Sequence, residues 1–106
     1  MTTQLDIRFI WVPKALGGHS GPPWDGMRLT IRWQRHVDAY LQRSWDVAAT
    51  NLAYDPGRGQ GTGRFRFISS DTVPQEWIKD GELVELLGGF RVFAVGRITG
   101  STADDG

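Results

Sequence analysis

Along most of the chain apolar residues recur at every second position. Leu5, Ile7, Phe9 and Trp11 alternate with Asp6, Arg8, Ile10 and Val12, the pattern of a strand with one face buried and the other mixed. Pro13 ends it. From Met27 the alternation is cleaner: Met27, Leu29, Ile31 and Trp33 fall on one side, and Arg28, Thr30, Arg32 and Gln34 on the other. A third strand is predicted from Ser44 to about Leu52. A fourth runs from Gly63 to Ser69, with Phe65 and Phe67 inward and Arg64 and Arg66 outward. Near the C-terminus, Glu82 to Leu87 and Phe90 to Ile98 flank Gly88-Gly89, a dipeptide suited to the positive φ angles of a two-residue hairpin.

Between these strands one stretch has helical spacing, 35–43, where Val37, Tyr40 and Leu41 recur at offsets of three and four. It is short enough to be a loop turn. The segment 55–63, Asp-Pro-Gly-Arg-Gly-Gln-Gly-Thr-Gly, is too rich in glycine for regular structure and reads as an exposed, mobile connection. Residues 100–106 are small and acidic and read as a frayed tail on a single domain spanning 1–99. Six short strands joined by Gly and Pro turns call for a closed barrel or a sandwich, since closure removes the edges on which strands aggregate.

Composition narrows the class. With 106 residues and no cysteine, one ordinary core buries roughly two thirds of the unfolded surface without a staple. The twelve Lys and Arg balance twelve Asp and Glu, which argues against a polybasic coat for nucleic acid or membranes. No apolar run approaches the roughly 20 residues of a membrane span, and the first residues lack the features of a secretion signal. The expectation is a cytoplasmic protein.

The candidate chemistry is thin. The glycines at 57–63 suggest a phosphate cradle, but a P-loop needs Lys followed by Ser or Thr at a helix start, which is missing. His19 and His36 are the only histidines, and neither has a carboxylate at ligand spacing, so no metal is expected. Ser20 beside His19 has no nucleophile elbow around it. Glu82 and Glu85 are an odd number of positions apart, so on a strand they face opposite ways. The arginines carry more weight: ten of the twelve basic residues are Arg, and Arg28, Arg32, Arg64 and Arg66 lie on the outward faces of two strands. If those strands pair, the guanidinium groups form a patch for phosphate or carboxylate; otherwise they pair with acids across the strands. Trp24, in Gly-Pro-Pro-Trp-Asp-Gly, reads either as a cap on the barrel end or as an exposed anchor for a partner.

Gly17-Gly18, six residues, then Asp25-Gly26-Met27-Arg28 and an alternating strand resemble a segment of the C-terminal β-barrel, the third domain, of translation elongation factor Tu. Pro22 and Trp24 sit where that family has a proline and an aromatic. Pro74, Gly81 and the stretch 85–98 are similar to the family's closing hairpin. The likeness spans nearly the whole chain but is slight from Arg35 to Gly63. It implies an all-β fold, a six-stranded closed antiparallel barrel standing without a GTP-binding domain, and hence no GTP and no cofactor. In the family this domain grips the T-stem of aminoacyl-tRNA and contacts partner proteins. Of the basic and imidazole pair that serves tRNA there, His19-Ser20 keeps one donor. The resulting expectation is a non-catalytic module that binds a protein partner through loop ends, the 17–26 loop with His19 and Trp24 and the 57–63 glycine loop. The second reading is RNA or tRNA binding through Arg28, Arg32, Arg64 and Arg66 with His19.

Overall fold

The computed structural model describes residues 2–68 and 73–104. Its strands are β1 (Thr2–Trp11), β2 (Arg28–Trp33), β3 (Trp45–Asp55), β4 (Gln60–Phe67), β5 (Leu83–Gly88) and β6 (Arg91–Asp104). They close into one antiparallel barrel in the order β1-β4-β3-β2-β5-β6. The seam joins the first strand to the last, from Thr2 opposite Asp104 to Trp11 opposite Ala94. Barrel rather than sandwich is therefore the outcome, and every strand has two partners.

The period-two reading of the interior holds. Leu5, Ile7, Phe9, Trp11, Met27, Leu29, Ile31, Trp33, Val47, Ala49, Phe65, Phe67, Val84, Leu86, Ala94 and Ile98 are all buried in one cluster. Each large aliphatic member contributes about 1.5–3 kcal/mol by leaving water. At one end of the barrel, Trp33 meets Trp45 edge to face at 5.8 Å and Trp77 at 5.4 Å. Its indole N–H donates to the Trp77 carbonyl at 2.7 Å, so the plug has its polar atom satisfied.

Several boundaries differ from the sequence reading, each for a packing reason. The connection expected over 55–63 shrinks to the turn Pro56–Gly59, where the Arg58 and Gly59 amides donate to the Asp55 carbonyl and the Gly57 amide to Asp55 Oδ1. Gln60 to Gly63 belong to β4 instead. There Gly61 and Gly63 need their missing side chains: a Cβ on Gly61 would lie 2.7 Å from the Ala53 carbonyl oxygen, and one on Gly63 would lie 2.6 Å from Leu52 Cδ2. Strand β3 accordingly runs on to Asp55, past a bulge between Thr50 and Ala53 where Asn51 takes a φ of 51°. The predicted Ser69 end of the fourth strand lies outside the described residues.

The closing hairpin turns one position later than Gly88-Gly89. Gly88 pairs with Arg91, leaving Gly89 and Phe90 as the loop, with positive φ at Gly89 alone. The tail also departs from expectation. Gly100 to Asp104 continue β6 and pair with β1 from Asp6 back to Thr2, because β1 begins three residues before Leu5 and offers free ladder positions. Asp105 and Gly106 lie outside the described residues. The helical spacing at 35–43 becomes a 3-10 turn at Gln34–His36 and one short helix, α1 (Val37–Gln42). Val37 and Leu41 stay exposed, while Tyr40 is half-buried with the Arg32 guanidinium 5.2 Å from its ring centre. No helix among the described residues is long and apolar enough to cross a membrane.

Candidate functional site at the loop end of the barrel

Three connections meet at the end of the barrel opposite the tryptophan plug: the long loop 12–27, the β3–β4 turn and the β5–β6 turn. The Trp11 amide donates to the Gly59 carbonyl and the Val12 amide to the Phe93 carbonyl, which ties them together. The long loop is anchored along its length. Gly18 lies so close to Val12 that a Cβ would collide with the Val12 carbonyl, so only glycine lets the chain double back there. The Trp11 indole N–H donates to the Gly21 carbonyl at 2.9 Å. Farther along, the Gly26 amide bonds to the Ala49 carbonyl, and Asp25 Oδ1 accepts from the Leu52 amide at 3.1 Å.

His19 is half-buried within this loop. Its ring centre lies 4.9 Å from that of Phe93, 5.4 Å from Trp24 and 6.2 Å from Trp11. Its Nδ1 accepts the Gly21 amide at 3.0 Å, a local turn bond that fixes the ring. No hydrogen bond joins it to Ser20 among the described residues, so that pair forms no nucleophile and base. Trp24 packs against His19 with the rings tilted by 51° and remains 51% exposed; the ring sealing the core beneath is Trp11. Trp24 therefore both covers the loop and presents an open face.

The four arginines are not brought together as expected. Strand β3 lies between β2 and β4, so the two arginine strands do not pair. Arg28 and Arg66 flank Ala48 on the outer wall, and both are exposed with no ion pair among the described residues. Arg64 pairs with Asp6 at 3.3 Å, and Arg32 with Glu85 at 3.0 Å. Glu82 lies one residue before β5, outside the strand, and its carboxylate is 3.7 Å from Arg35. Among the described residues, no group of three or more His, Asp or Glu is placed to hold a metal ion.

Sequence reasoning missed two residues at this end, Leu16, 77% exposed, and Phe90, 99% exposed. Phe90 reads as the first residue of the last strand; the shifted turn places it at a tip instead. The signal lay in Gly88, where the Phe93 ring occupies the space of a Cβ, a contact no linear pattern discloses. No protein-family model matches this chain, and no curated protein matches it either.

Proposed function

We propose that the protein is a non-catalytic interaction module, built on the plan suggested by the third domain of elongation factor Tu, that binds a protein partner through this loop end. The observation carrying the reading is the presentation of Trp24 and Phe90 to solvent from hydrogen-bonded connections of a closed barrel. An aromatic held in place before binding loses little side-chain entropy on docking, which is what makes Trp and Phe effective anchors. His19 sets the Trp24 ring; it is a positioning residue for that anchor.

Arg28 and Arg66, exposed and without an ion pair among the described residues, favour a second reading, RNA or tRNA binding. It is the weaker one, since Arg32 and Arg64 already have carboxylate partners. Capture of binding proteins from the cell's own extract on the tagged barrel, compared with Trp24→Ser and Phe90→Ser, separates the readings. A protein retained by the unmodified barrel and lost from both variants supports the loop end. Co-purification of tRNA with no such protein reverses the order.

A further inference from the structure

The outer wall of β1, β6 and β5 carries a depression of about 390 Å³ whose lining includes Arg8, Ile10, Leu83, Val95 and Arg97. The register makes its pattern explicit. Arg8 stands directly opposite Arg97, and Ile10 directly opposite Val95; Leu83 lies on the far side of Arg97. Both arginines are exposed, and neither side chain has an ion pair or hydrogen bond among the described residues, whereas those of Arg32 and Arg64 on the same barrel do. Ile10 is 57% and Leu83 42% exposed.

Like charges directly opposed across two strands destabilise the pair, and aliphatic side chains beside them gain nothing from water. A local rule broken without compensation inside the fold marks a place where something outside supplies it. An anion bridging Arg8 and Arg97 would remove the repulsion. An apolar group over Ile10 and Val95 would remove exposed aliphatic surface. The two pairs are two residues apart along the strands, about 7 Å. That is also the separation of residues i and i+2 on one face of an extended peptide. We infer that this wall binds an extended segment of a protein partner in which Asp or Glu stands two residues from Leu, Ile or Phe. The inference deepens the interaction-module reading but uses a surface separate from the loop end.

The test uses the full chain and short fluorescent peptides carrying Glu-Ser-Leu, with Lys-Ser-Leu as the charge-reversed control and laurate as an acyl anion. Anisotropy gives affinity, and backbone amide NMR gives location. Binding of the Glu peptide with shifts at Arg8, Ile10, Val95, Gly96 and Arg97, weakened by added salt, is the expected result. Arg8→Gln with Arg97→Gln should weaken it on the order of tenfold, while Trp24→Ser and Phe90→Ser leave it unchanged. That last comparison separates failure of this site from failure of the loop end. The mapping on the unmodified protein stands even if the double variant does not fold. Equal binding of the Lys peptide, shifts confined to other surfaces, or laurate filling the depression while the Glu peptide leaves it unshifted would each overturn the inference.

Discussion

Phe9 of β1 lies directly across from Gly61 of β4, and the tip of its ring is 2.9 Å from where a Gly61 Cβ would be. On its other side Phe9 faces Gly96 of β6. The ring fills the room above Gly61, while at Gly96 the space is taken by Ile7 Cγ2, the Arg8 carbonyl and the Phe9 Cβ; glycines on both neighbouring strands are how a narrow barrel fits an aromatic at mid-wall while keeping interior density. Gly61→Ala should therefore destabilise the protein by about 1–3 kcal/mol, the range for overpacking a filled interior. Urea unfolding followed by tryptophan fluorescence reads this directly. A loss of only a few tenths would mean that both the Phe9 ring and the β3 backbone at Ala53 can give way.

The Arg32–Glu85 pair should matter more than the Arg64–Asp6 pair. The first is mostly sheltered, with side chains 23% and 17% exposed, and the second is open. Glu85→Ala leaves a half-buried guanidinium with no acid and is expected to cost about 1–2 kcal/mol. Asp6→Asn is expected to cost about 0.5 kcal/mol or less. Thermal unfolding of the two variants side by side checks the ordering.

At the loop end the prediction is a separation of stability from binding. Phe90 covers nothing, so Phe90→Ser should change unfolding free energy by about 0.5 kcal/mol at most. Its effect on the captured partner should be far larger, since a lost aromatic anchor typically costs about 2 kcal/mol or more of binding. Partner retention and urea midpoint measured on the same preparation settle whether the two effects part.

The arginine geometry makes a statement about salt. With Arg32 and Arg64 paired, Arg28 and Arg66 are the two predicted arginines left for phosphates, and a tRNA affinity carried by those two should depend on salt with a log–log slope no steeper than about −2. Fluorescence anisotropy over a salt series measures it. A slope near twice that value would show phosphate contacts beyond these two, from Arg8 and Arg97, unpaired among the described residues, or from arginines that leave their carboxylates, and would favour the RNA reading.

How far the sequence disclosed the molecule depends on which relationship is asked for. Leu5 to Trp11 and Met27 to Trp33 show their buried faces by strict alternation, because a strand half in a core must alternate. Gly61 and Gly63 mislead: glycine is read as freedom for the chain, whereas here it is room for Leu52 and Phe9. The arginine patch was misjudged because adjacency of β2 and β4 is decided by barrel order, and β3 comes between them. Arg8 and Arg97 are 89 positions apart in the chain and become neighbours only when the seam forms.

That seam has a kinetic side. Because β1 waits for β6, the barrel's defining contacts join residues from opposite ends of the described chain, and formation of such contacts is slow for want of local pairing. Of the two ladders of β1, the one toward β6 has no partner until β6 joins. A chain cut short before β6 would carry two open strand edges, on β1 and β5, and such edges recruit other chains. The surface carrying Arg8 and Arg97 thus exists only once β6 has closed the barrel, so a partner reading it would discriminate closed barrels from open ones.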